Sequence, residues 1–163
     1  MSHFKARWGK PLIVSSVLAT ALCLGVAFAV PLLPQPRHGA IPIEWIRWLA
    51  GSLIAGTALF TVRGYTITPD AILIHRLVWN TRLSLDGLRS VEFAPGAMRK
   101  SLRTCGNGGF FSFTGWYWSK SLGAYRVFVT DLNRTVILRY EKRTVILSPH
   151  EPEIFVHEVR NRT

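Results

Sequence analysis

Positions 12–33 form a run of 22 residues without a single charge. At about 1.5 Å of rise per helical residue, such a run matches the roughly 30 Å hydrocarbon core of a bilayer. A second apolar run at 48–62 is uncharged over 15 residues, and reaches 22 when counted from Ile41 through Glu44 and Arg47. Those two charges are three apart, so on a helix they pair at headgroup level while the remainder spans. Trp8, Trp45, Trp48 and Tyr65 flank the runs where an interfacial aromatic belt belongs. The pattern predicts a region 1–63 made of a basic tail and a two-helix transmembrane hairpin, with helices at about 11–33 and 43–63.

The segment between the helices, 34–42, is short and interrupted by proline and glycine. Small residues recur every four positions: Ala21, Gly25 and Ala29, then Gly51 with Ala55 and Ser52 with Gly56. Such stripes let helix backbones approach closely in lipid, although small residues are also simply common in membrane helices. Lys5, Arg7 and Lys10 before the first run, with Ala27-Phe28-Ala29 near its end, also fit a cleavable signal peptide. The length of the uncharged run favours retention, and Leu22 before Cys23 is wrong for a lipoprotein cleavage box.

Charge sets the orientation. The chain has 20 Lys+Arg against 9 Asp+Glu, a net +11. With 48% hydrophobic residues it is not a disordered chain, and a basic apolar sequence points to a membrane surface or to nucleic acid. Positive flanks stay inside, so both termini are expected in the cytoplasm, with the chain multi-pass in the cell membrane. Cys23 in the bilayer and Cys105 in the following domain form no disulfide framework.

From Gly64 the hydrophobic pattern switches to period two. Strands are expected at 65–68, 71–78, 82–85, 89–93, 123–130, 135–140 and 144–147, about seven in all. Ser148-Pro149-His150-Glu151 reads as a helix start, with a capping serine, proline at the first position and glutamate three residues after the cap. Phe155 and Val159 would then cover one end of a sheet, while Glu153, Glu158 and Arg160 stay wet.

Four segments bring a resemblance into view. They are Tyr65-Thr66-Ile67-Thr68-Pro69-Asp70, then Leu85-Asp86-Gly87-Leu88-Arg89-Ser90-Val91. The stretch from Arg103-Thr104-Cys105-Gly106-Asn107-Gly108-Gly109 through Gly115-Trp116-Tyr117 to Leu122-Gly123 follows, and last Ser148-Pro149-His150-Glu151-Pro152-Glu153-Ile154-Phe155. Positions 65–159 resemble the bacterial pleckstrin-homology-like domains found behind two transmembrane helices. The resemblance implies a cytoplasmic domain at 64–163, an antiparallel β-barrel or sandwich capped by a C-terminal helix. It also implies a binding or assembly module and no catalyst.

Catalytic motifs are absent from the sequence. Phe111 occupies the place of the third glycine that Gly106-Asn107-Gly108-Gly109 would need for a dinucleotide fingerprint, and there is no Gly-Lys-Ser/Thr phosphate loop. His150 and His157 are seven apart without an evident third metal ligand, and His75 reads as a satisfied polar residue. The reading is therefore no enzyme, no cofactor and no metal. The segment 104–118 is unusual, since six of its fifteen residues are aromatic (Phe110, Phe111, Phe113, Trp116, Tyr117, Trp118) and none is charged. Arg99, Lys100, Arg103 and Lys120 bracket it. An aromatic loop with a basic collar suits the interface of an anionic leaflet; the aromatics could equally fill the sheet's own core or meet a neighbouring subunit. These ten residues are the candidate membrane or partner surface. The expected partners are membrane lipids with anionic headgroups, or a protein partner or second copy in an assembly role, and no nucleic acid, for which no recognition motif is present.

Overall fold

The computed structural model describes residues 2–29, 32 and 42–162. A strand that the sequence hides opens the chain: β1 (Ser2–Lys5) precedes the helices α1 (Lys10–Ala29) and α2 (Ile43–Leu59). Then come β2 (Gly64–Ile67), β3 (Ala71–His75), β4 (Asn80–Ser84) and β5 (Leu88–Phe93). The hairpin β6 (Leu102–Gly108) and β7 (Phe113–Ser119) leads to β8 (Gly123–Val129), β9 (Val136–Tyr140) and β10 (Thr144–Leu147). Helix α3 (Pro152–Arg160) closes the chain.

The strands form a four-stranded sheet, β1-β2-β3-β4, and a six-stranded sheet, β5-β9-β10-β8-β7-β6. The main core lies between them and is sealed by α3. Tyr65, Ile67, Ile72 and Ile74 come from one sheet, Phe128, Val136, Leu138, Val145 and Leu147 from the other, and Phe155 and Val159 from the helix. The six-stranded sheet is buried on its second face too, where Tyr125, Val127, Ile137 and Ile146 meet Ala97, Met98 and Leu132. Burial on both faces explains why β9 and β10 read as continuous apolar runs.

Several expectations need correction. Ten strands are described, with nine behind the helices where about seven were expected. The added pair is β6–β7, so the aromatic segment 104–118 is a paired hairpin and not a loop. Among the described residues nothing joins the two sheets edge to edge, so the fold is a sandwich and not a closed barrel, and β10 runs parallel to β8. Helix α3 begins at Pro152 and not after Ser148. Ser148 cannot cap it, because its hydroxyl accepts bonds from the Thr130 and Asp131 amides at 2.8 and 3.2 Å. The second apolar helix ends at Leu59, four residues short of its expected end, because the Arg63 amide already donates to His75 O at 2.8 Å in the sheet.

Among the described residues one helix, α1, is 20 residues long and apolar enough to cross a membrane, with a mean hydropathy of 2.3 over its most apolar 18-residue window. Helix α2 has 17 residues, the lower limit for a span, and carries the Glu44–Arg47 pair at 3.7 Å as expected from its spacing. The small-residue stripes do not bring the helices into close contact at their glycines, since a methyl group added at Gly25, Gly51 or Gly56 would meet nothing within 4 Å. The expected link at 34–42, Pro42 apart, and the end of the first helix beyond Ala29 lie outside the described residues, except Leu32.

Candidate functional site

The two helices and the sandwich meet in a seam built from short connectors. Only 6–9 separate β1 from α1, and only 60–63 separate α2 from β2. These connectors are pinned to the domain: Ala6 N donates to Arg63 O at 3.2 Å, Gly9 N to Thr130 O at 2.9 Å, and Thr130 Oγ1 to Arg7 O at 2.9 Å. The tip of the β6–β7 hairpin is fastened to the helices as well. Ser15 Oγ donates to Gly109 O at 2.6 Å, Phe111 N to Ser16 Oγ at 2.9 Å, and Ser112 Oγ to Phe60 O at 3.0 Å.

The hairpin reaches the helices by a close crossing of its own strands. Gly106 and Gly115 face each other with φ of +113° and +128°. A Cβ on either would sit 2.2–2.3 Å from a carbonyl oxygen of the opposite strand, so both positions require glycine.

Between α2 and the six-stranded sheet lies a groove of about 610 Å³. One wall is the face of α2 carrying Leu53 and Gly56, continued by Phe60 just past its end; Trp116, Arg126 and Phe128 line the sheet side, with Arg76 just after β3. Arg76 is only 8% exposed. Its guanidinium is 5.4 Å from the Phe60 ring, 5.5 Å from Trp79 and 5.2 Å from Phe128, and its Nε is buried without a hydrogen-bond partner. Arg126 lies 5.0 Å over the same Phe128 ring. Burial, and then the neighbouring charge of Arg126, push the Arg76 pKa below its ordinary value. A second cleft, which Arg76 also lines, is bordered by Lys5, Arg7, Arg63, His3 and His75 and by no acid. His75 itself is satisfied, with Nε2 2.7 Å from Thr66 Oγ1 and Nδ1 2.9 Å from Asn80 Oδ1.

The ten residues singled out from sequence are divided by the fold. Strand alternation turns Tyr117 into the second core, with Phe113 packed against that core, and leaves Trp116 and Trp118 exposed on the opposite face. Phe110 and Phe111 stack at 4.7 Å on the hairpin tip, with Phe111 beside Trp8. Arg103 lies along β6 with its guanidinium against Gly108, and it lines the groove together with Phe110 and Trp116. Arg99 and Lys100 precede β6 and Lys120 follows β7, at the opposite end of the hairpin from its tip. At about 3.3 Å per residue, those three cations stand some 20 Å from the helix contacts.

Sequence reasoning missed Arg76, Arg126, Phe60 and Trp79. One signal was available for Arg126, which shares a strand face with Phe128 by period two. Nothing local marked Arg76, because the expected strand 71–78 ran through what is a turn at Leu77 and Val78.

A two-sheet sandwich with a C-terminal helix over its core is the architecture that the motifs implied, and the family model for the bacterial PH domain matches residues 63–163. The chain belongs to the bacterial PH domain family. Comparison with curated proteins and with solved structures gave no match. Membership in the family makes the sandwich a binding domain in character. This PH domain departs from a free-standing unit in one respect: its first strand, β1, lies before α1 in the chain, so the helices are an insertion between two paired strands of the domain.

Proposed function

We propose that this protein is a non-enzymatic, membrane-anchored binding module whose PH domain rests on the anionic inner leaflet of the bacterial cytoplasmic membrane. In this reading α1 and α2 cross the membrane as a hairpin and both termini are cytoplasmic. The supporting observation is the seam. Arg7 on one connector, Lys5 and Lys10 at the element ends that flank it, and Arg63 on the other connector sit where the helices leave the domain, and hydrogen bonds rather than a flexible linker hold the domain there.

Two further features agree with it. Beyond the seam the helices present a continuous apolar surface, with Leu18, Leu22, Phe28, Trp48 and Leu49 each at least 64% exposed, far more than a water-soluble surface carries. The β3–β4 turn, Leu77-Val78-Trp79, is also exposed and apolar, and Trp79 packs edge-on against Phe60 at 5.2 Å. Each cation near an anionic surface contributes about 1 kcal/mol of attraction.

Alkaline carbonate extraction of native membranes, combined with a reporter fused after Thr163, tests this reading. Retention in the pellet with activity of a cytoplasm-type reporter is expected; complete extraction, or activity only of an export-dependent reporter, would reject it. A second reading, as an assembly subunit binding a protein partner or a second copy, draws on Leu102 and Trp118. These are paired across the edge strand β6 and are 66% and 42% exposed.

A further inference from the structure

Arg76 has more positive charge around it than a structural role requires. It is nine-tenths buried, yet among the described residues no carboxylate pairs with it, and no carboxylate lines the groove. Acidic partners do exist in the domain, but they neutralise arginines elsewhere: Asp70 meets Arg82, Glu141 meets Arg89, Glu92 meets Arg139 and Glu158 meets Arg162. The three rings around Arg76 attract its charge through their faces but accept none of its in-plane N–H groups. Arg126 then adds a second cation over the same Phe128 ring, and Arg103 a third along the groove. Two guanidinium groups that share one ring and line one groove without a counter-ion, one with a buried orphan N–H, are an arrangement completed by a multivalent oxyanion.

The other half of the groove has the opposite character. Leu53 and Gly56 line it from α2, and Phe60 from just past the helix end. The hydroxyls on that helix face are spent on its own backbone, Ser52 on Leu49 O at 2.9 Å and Thr57 on Leu53 O at 2.7 Å. A free phosphate has no use for an apolar wall that runs along the helix away from the arginines; an acyl chain does. We infer that the groove binds an anionic phospholipid, its phosphate between Arg76 and Arg126 with Arg103 alongside, and its chain lying along α2 past Gly56. The inference rests on the reading of α2 as a membrane helix, and it names the ligand class of that membrane contact.

The full chain in alkyl maltoside micelles can be titrated with short-chain phosphatidylglycerol, with short-chain phosphatidylcholine and inorganic phosphate as parallel arms. Tryptophan emission reports, since Trp116 lines the groove and Trp79 packs on Arg76. Saturable binding of phosphatidylglycerol is expected, about tenfold weaker for phosphatidylcholine and not displaced by inorganic phosphate. Arg76→Gln and Arg126→Gln should each weaken it about tenfold or more, as loss of a charge-assisted contact does. Gly56→Leu should block it without changing charge, because open space surrounds that position. Arg139→Gln, on the far ion pair, should bind as the parent does.

Circular dichroism and thermal unfolding identify which variants are folded. If Arg76→Gln is not folded, Arg126→Gln and Gly56→Leu decide. Parent-like binding by those two, equal binding of the neutral lipid, or no saturable binding at all would overturn the proposal. Displacement by inorganic phosphate would overturn the lipid source. These outcomes are separable from failure of membrane anchoring: a chain that stays in the carbonate pellet but fails the titration loses only the groove.

Discussion

Tyr65 shows how one side chain ties the sandwich to the groove. It has no exposed surface; its hydroxyl donates to Phe128 O at 2.7 Å and accepts from the Ser148 amide at 3.1 Å. The backbone of Phe128 is thereby held under the two arginines that its ring carries. Burial pushes the Tyr65 pKa from 10.0 up to about 12, and burial does the same to Tyr117. Below pH 10 the phenols are neutral in both folded and unfolded chains, so their contribution is fully present. Between pH 10 and about 12 the unfolded chain ionises first, and stability falls through that window. Denaturant midpoints of the full chain should therefore drop as pH rises from 10 to 12. Tyr65→Phe should lose about 1–3 kcal/mol at neutral pH by leaving Phe128 O and the Ser148 amide unpaired, and its alkaline drop should be shallower. An equal drop in both proteins would assign the alkaline effect to other groups.

At the level of elements, β1 is the piece whose loss should be felt most widely. Its four residues pair with β2, Phe4 is 5% exposed and packs edge-on against Phe155 at 5.1 Å, and Lys5 O accepts the His150 amide at 2.9 Å. Ser2 Oγ reaches Glu158 on α3 at 2.8 Å. A fragment that starts at Gly64 leaves the β2 edge unpaired and the core open beside Phe155. Such a fragment should fail to unfold cooperatively, while one in which residues 2–9 are joined ahead of Gly64 by a short flexible linker should do so. Phe4→Ala in the full chain is the milder form and should cost about 3–5 kcal/mol. A stable, cooperative 64–162 fragment would show that the strand is dispensable.

For the whole molecule, the pairing of β1 with β2 makes the helices an excursion that must return to its starting side. Whatever orientation the charges favour, Ser2 and the C-terminal residues belong to one folded body. Cysteines placed one at a time at Ser2 and Asn161, in a background without Cys23 and Cys105, should be labelled by an impermeant reagent from the same side of sealed vesicles. That agreement should survive neutralisation of Lys5, Arg7 and Lys10, even if the orientation reverses. Labelling from opposite sides would mean that the sandwich does not assemble as described.

The apolar run at 12–33, the period-two strands after Gly64 and the i, i+4 pair Phe155 and Val159 were legible because each is a local pattern with a physical period. Family membership was legible for the same reason, in the ordered motifs from Tyr65 to Phe155. The boundaries of α2 and α3 were not, since Arg63 and Ser148 are claimed by strands far along the chain, and local capping rules lose to those bonds. The sequence shows Ser2-His3-Phe4-Lys5 as a basic tail because four residues are too few for a period; only the edge of β2 and the gap beside Phe155 make them a strand. The groove was least legible of all. Arg76, Arg126 and Phe60 are separated by up to 66 positions, and nothing but the packing of α2 over the sheet brings their charges and rings around one space.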